Sequence, residues 1–148
     1  MPQSLSKVYI HLVFSTKNRE GNILIKDREE IFRYIAGALN EMNCNAIAVG
    51  GEKDHIHALF CLSRTKTLSD VVRDLKTNSG KWMKEKLGCN FLWQSGYGVF
   101  SVSQSTVEQV VHYIKNQQEH HKKISFQEEY ISFLKAYGIS YDEKYVWD

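Results

Sequence analysis

Apolar and polar positions alternate from Val8 to Ser15, with Val8, Ile10, Leu12 and Phe14 on one side and Tyr9, His11, Val13 and Ser15 on the other. A period of two predicts a strand, here with one strongly apolar face. A polar loop follows from Thr16 to Gly21. Ile31, Ile35, Ala38, Leu39 and Met42 then recur at helical spacing, with Asp27 placed as N-cap and Glu30 as its capping-box partner. Asn45 to Val49 reads as a second strand, Gly50-Gly51 as a turn, and Asp54 to Leu62 as a third strand. Thr67 or Ser69 caps a second helix through Val71, Val72, Leu75, Trp82, Met83 and Leu87, and Gly88 ends it. Phe91 to Ser103 is strand-like and broken by Gly96-Tyr97-Gly98. Ser105 or Thr106 caps a third helix that carries Val107, Val110, Val111 and Ile114 as far as His121, and a fourth runs from Phe126 to Tyr137.

The order β-α-β-β-α-β plus two helices is the split βαβ pattern, so the expected fold is α+β and ferredoxin-like. That topology has an antiparallel sheet, helices on one face and an added C-terminal helix. Its first and third strands lie together in the centre. The third strand's Ile56, Ala58, Phe60 and Leu62 would then go under the helices, and His55, His57 and His11 would look out from the open face. Asp54, one residue from His55, should face away from it.

A His-x-His pair on a strand puts two imidazoles on one face, which is half of a metal site. The third helix offers a complement. Tyr113 and Gln117 are four residues apart and project from one face, shared with Gln109 and His120. Two imidazoles and a Gln carbonyl oxygen can hold a divalent ion with open positions. Such an ion polarises a phosphodiester oxygen, and a Tyr hydroxyl beside it can attack phosphorus. The mixed nitrogen and oxygen set suits Mn2+ or Mg2+, with zinc as competitor. His120 is an alternative ligand; otherwise His120 and His121 read as surface polar residues.

Composition narrows the partners only locally. The 148 residues carry a net charge of just +2, but Arg64, Lys66, Arg73, Lys76, Lys81, Lys84 and Lys86 crowd into one stretch. That is either a phosphate-binding surface or a solvated helix face. Length and the absence of a linker-like stretch point to one domain over 1–148. No apolar run is long enough to span a membrane, and no signal peptide is visible. Cys44, Cys61 and Cys89 are odd in number and lie among apolar residues, which suits reduced thiols in the cytoplasm. Tyr97 reads as a core or edge aromatic beside a strand bulge, with base stacking as the alternative.

Three segments together carry a resemblance: Asp54-His55-Ile56-His57, then Gly96-Tyr97-Gly98-Val99-Phe100-Ser101-Val102-Ser103, then Tyr113-Ile114-Lys115-Asn116-Gln117. In order and spacing they resemble the HUH single-tyrosine transposases, the very small enzymes of simple insertion sequences, and their REP-associated relatives. The resemblance runs over nearly the whole chain. It implies His55, His57 and Gln117 as ligands of a divalent metal and Tyr113 as nucleophile. It implies single-stranded DNA, often with hairpin-forming element ends, as substrate. Cleavage and rejoining would pass through a 5′-phosphotyrosine link. It also implies a homodimer in which the Tyr helix can serve the partner's histidines. Charge and resemblance together make Arg73, Lys76, Lys81 and Lys84 candidate DNA contacts. His11 reads as a satisfied structural histidine, with a phosphate or Tyr contact as the alternative.

Two other function classes fit less well. A non-catalytic single-stranded nucleic-acid-binding module, a domesticated relative, would use the open sheet face, yet the histidine strand lacks the aromatics such sheets carry. A metallohydrolase with water as nucleophile would want more carboxylates than Asp54.

Overall fold

The alternating N-terminal segment forms β1 (Tyr9–Ser15), and all of its residues are buried on both faces. A strand with both faces buried needs cover on both sides of its sheet, and the chain supplies it. In this computed structural model, residues 2–88 and 91–148 are described. Cys89 lies outside the described residues, as does the side chain of Leu87.

β2 (Ala46–Glu52), β3 (His55–Cys61) and β4 (Gly98–Val102) join β1 in one sheet. Its order is β2-β3-β1-β4, with every pairing antiparallel. This is the expected ferredoxin-like arrangement with β1 and β3 central. The predicted Gly50-Gly51 turn is instead the end of β2, and Lys53-Asp54 makes the turn. Gly50 earns no turn but permits a close approach, because a Cβ there would collide with the Ile114 carbonyl oxygen.

On one face lie α1 (Ile25–Glu41) and α2 (Leu68–Leu87). Ile31, Ile35, Leu39, Val71 and Leu75 pack on Leu12, Phe14, Ile56, Ala58 and Phe60, as the apolar periodicities require. α2 begins where the Thr67 side chain accepts from the Asp70 amide, and it ends at Gly88, whose φ of 65° is the left-handed value that favours glycine. α1 begins two residues ahead of Asp27, with Leu24 at the N-cap position and no side-chain cap. Asp27 sits in the first turn, where its charge still suits the helix N-terminus.

The other face is not open. It is covered by α3 (Val107–Lys115), α4 (Gln117–His120) and α5 (Phe126–Ala136). Ile114 seals Tyr9, Ala48 and Leu59. Phe126, Tyr130 and Leu134, one stripe of α5, pack on Val13 and Phe100. The predicted third helix breaks at Asn116, whose φ and ψ of −101° and 19° are not helical. Of the segment 91–103, only Gly98–Val102 is a strand. Cys44 is buried and Cys61 half-buried, and both are free thiols. Among the described residues, no helix is long and apolar enough to cross a membrane.

Candidate metal centre and tyrosine

The period of β3 puts His55 and His57 on one face, as expected, but α4 and α5 bury both completely. His55 Nδ1 donates to Asp54 Oδ1 at 2.8 Å. Asp54 was expected to point away, but it belongs to the turn, outside the strand alternation, and so reaches back. A carboxylate on the outer nitrogen fixes the ring and aims Nε2 inward. There Nε2 meets Gln117 Oε1 at 2.8 Å and Glu129 Oε1 at 3.6 Å. Gln117 Nε2 lies 3.3 Å from Glu129 Oε2 and 3.4 Å from the Tyr113 carbonyl, which orients the amide oxygen toward His55.

His57 is held from both sides. Its Nε2 donates to Glu129 Oε1 at 2.9 Å, and its Nδ1 accepts from His11 Nε2 at 2.8 Å. The register explains the second bond: His11 lies beside Leu59 on the neighbouring strand, one step diagonal from His57. His11 is buried, and its bond to His57 makes it first a residue that orients that ring. Burial, together with His57 next to it, pushes the His11 imidazole down to about 3. Burial likewise lowers His57, against the pull of Glu129.

Glu129 joins the parts. Its carboxylate accepts from the Tyr113 hydroxyl and lies 3.3 Å from His120 Nε2 and 3.2 Å from His121 Nε2. Burial alone would raise this carboxyl, but the surrounding imidazoles, His121 and His57 first, hold it well below the usual carboxylate range. For His121 the burial cost is outweighed by the same carboxylate, so its imidazole is raised. The Tyr113 hydroxyl is pushed up, first by burial and then by Glu129. Tyr113 therefore rests as a phenol, with its ring centroid 5.6 Å from that of His57 in the same chain.

The donor set fits a cation. Ligand atoms of His55, His57, His121 and Glu129 all lie within 4.8 Å of one another. Two ligands opposite each other at about 2.1 Å from one ion would be separated by a similar span. His121 Nε2 is buried and makes no well-directed hydrogen bond, although Glu129 Oε2 lies 3.2 Å away. With the ring proton on Nδ1 and directed to Asp54, His55 Nε2 turns a lone pair toward two oxygen acceptors. A divalent ion would satisfy these converging acceptors at His55 and would replace the proton shared by His57 Nε2 and Glu129.

Tyr113, Gln117, His55, His57 and His11 thus meet in one place. The basic candidates do not join them. α2 lies across the sheet, where Arg73, Lys76, Lys81 and Lys84 line a separate cleft of about 510 Å³ with residues 91–95 and Tyr97. Arg73 pairs with Asp70 and Asp74 at 3.1 Å. Lys76 is half-buried, donates to the Gln94 carbonyl at 2.8 Å, and is pushed by burial down to about 8, so it serves the fold first. Tyr97 is 36% exposed on this cleft and is not a core residue. Glu129 and His121 escaped sequence reasoning, although Glu129 carried a signal. It falls on the stripe of Phe126, Tyr130 and Leu134, where a carboxylate must be buried and so needs partners.

Solved structures share this architecture. A candidate transposase from Deinococcus radiodurans R1, determined at 1.90 Å, superposes with a TM-score of 0.64 at 23% identity, over 79% of this chain and 98% of that one. A REP-associated tyrosine transposase bound to a REP hairpin gives 0.55 at 16% identity, over 77% and 68%. The fold is thus that of the tyrosine transposases. Residues 4–117 match the model of the IS200-like transposases, and the chain belongs to that family. It is also 28% identical to the ISDra2 transposase TnpA of Deinococcus radiodurans over 120 residues, 74% of this chain and 83% of that protein. The family match ends at Gln117, so His121 and Glu129 come from sequence beyond it.

Proposed function

We propose that residues 1–148 act as one HUH-type transposase domain that cleaves and rejoins single-stranded DNA through a 5′-phosphotyrosine. The observation that carries this reading is the contact of the Tyr113 hydroxyl with Glu129, which itself holds His57. His55, His57 and Gln117, with Glu129 and His121, would hold a divalent ion. That ion would supply Lewis-acid polarisation of a phosphodiester oxygen. Three imidazoles beside a carboxylate favour Mn2+ over Mg2+, with zinc as the competitor.

The residues divide the work. Tyr113 Oη attacks phosphorus, a Tyr O–P bond forms, the P–O3′ bond breaks, and the proton given up by Oη is balanced by one taken up at O3′, which leaves as a 3′-hydroxyl. Glu129 Oε2 already accepts the phenol's hydrogen bond and lies where the proton must go. Asp54 and His11 position the two histidines from behind. Attack by a 3′-hydroxyl on the phosphotyrosine reverses the step and rejoins DNA with no outside energy source. Within one chain all of these groups meet; a homodimer in which the Tyr helix serves the partner's histidines would present the same groups to the ion.

The test is incubation with single-stranded DNA from the flanks of this chain's own gene, hairpin ends included, with Mn2+ or with chelator. A denaturation-resistant protein–DNA adduct that forms with Mn2+ and not with chelator is expected. Metal-dependent cleavage without an adduct would instead favour water as nucleophile, a rival that Glu129 strengthens by adding a carboxylate. Binding without any product would favour the non-catalytic module.

The α2 cleft is a second contact surface for the DNA backbone, across the sheet from the tyrosine. Replacing Arg73, Lys81 and Lys84 by Ala should weaken binding alike for all sequences. It should also flatten the plot of log affinity against log salt by about 2, near 0.7 for each lost phosphate contact to a single strand. An unchanged slope would remove these residues from the interface.

A further inference from the structure

Tyr113 stands between two cavities of different character. One, of about 480 Å³, is the more polar, with His112, Asn116, Glu119 and Lys123 in its wall. The other, of about 530 Å³, is walled by Val110, Ile124, Phe133 and Ala136, with His11 and Glu129 among its lining. Tyr113, Gln109 and His120 line both. The second volume suits a small planar molecule. Among the described residues, no Lys or Arg lines it, so its wall offers a phosphate neither an ammonium nor a guanidinium partner.

Phe133 is fixed in place before any ligand arrives. It stacks on Phe100 with centroids 5.0 Å apart and planes 21° from parallel. Its ring meets His11 edge-on at 5.2 Å and lies 6.0 Å from the Tyr113 ring. The Gln109 amide, exposed at the mouth, makes no hydrogen bond among the described residues and is available to a base edge.

We propose that this cavity receives the nucleobase next to the scissile phosphate, with Phe133 as its stacking platform, while the sugar–phosphate chain passes along the polar side of Tyr113. The proposal rests on the transesterification reading and adds a substrate-positioning residue to it. An uncharged aromatic ring is the occupant that fits. The wall is largely apolar, it carries Phe133 and no Lys or Arg among the described residues, and it includes the tyrosine that must reach phosphorus. Bases stack on such rings with little regard to identity.

The experiment replaces each nucleotide in turn by an abasic one, in single-stranded oligonucleotides from the gene's flanks. Affinity is measured in chelator, where no cleavage is needed. At one position the loss of the base should weaken binding to the wild-type chain about tenfold. Phe133→Leu keeps an apolar side chain against Phe100 but removes the ring, so the same replacement should then cost nothing. Phe133→Tyr should restore the tenfold difference. With Mn2+, the sensitive nucleotide should flank the phosphate that becomes joined to protein, as read from product length. Equal losses in wild type and Phe133→Leu, or no sensitive position, would overturn the pocket while adduct formation kept the reaction. No adduct with any oligonucleotide would overturn the reaction, and the scissile placement with it, while a Phe133-dependent base effect in chelator would still mark a base-binding cavity.

Discussion

Tyr113→Phe is expected to remove the covalent protein–DNA product entirely and to leave the folded chain standing. The substitution deletes one oxygen from a half-buried ring. The ring keeps its place against His11, His57 and Phe133. Glu129 loses one charge-assisted hydrogen bond, worth about 1.5–3 kcal/mol, but retains His57 at 2.9 Å and Gln117 at 3.3 Å. A modest fall in melting temperature and undiminished Mn2+ binding should therefore accompany total loss of the adduct. The residual nucleophile beside the site is His120, 3.3 Å from the same hydroxyl. An adduct that persists in Tyr113→Phe and is acid-labile would transfer the nucleophilic role to that imidazole. Denaturing electrophoresis with labelled DNA, a melting curve and metal titration together decide the matter.

Most of this arrangement was legible in the chain because two periodicities carry it. The alternation along β1 and β3 placed His11, His55 and His57 on one face, and the four-residue step placed Tyr113 and Gln117 together. What the pattern could not give was cover. An open face was expected because each strand and helix was read against its own neighbours, whereas α5 is brought over the histidines by tertiary packing of Phe126, Tyr130 and Leu134 on Val13 and Phe100. Asp54 was misassigned for a related reason: alternation holds inside a strand and fails at its first turn residue. Lys76 shows the limit of charge patterning, since a basic residue in a basic run can be occupied by three backbone carbonyls of the segment beside it.

Glu129→Gln is expected to loosen both the metal and the metal-free fold. This carboxylate is the acid that faces into the histidine cluster, because Asp54 is engaged on the outer side of His55. An amide of the same shape keeps one acceptor oxygen but puts an NH2 where the second carboxylate oxygen meets the Tyr113 hydroxyl and His121. Donors then face donors around a buried centre. Removing one member of such a buried charged pair costs about 3–5 kcal/mol, so the metal-free variant should melt well below the wild type. Losing a partner that only orients a ligand lowers metal affinity about 10- to 100-fold. Glu129 would supply an oxygen to the ion itself, so the upper end or beyond is expected in a calorimetric titration with Mn2+. The rise in melting temperature that Mn2+ gives the wild type should shrink in step, since that rise follows the ratio of metal concentration to dissociation constant. Unchanged Mn2+ affinity in Glu129→Gln would mean that His55, His57, Gln117 and His121 hold the ion without it. Glu129 would then be an internal occupant of the site that incoming phosphate must displace, and adduct formation in the variant should rise rather than fall.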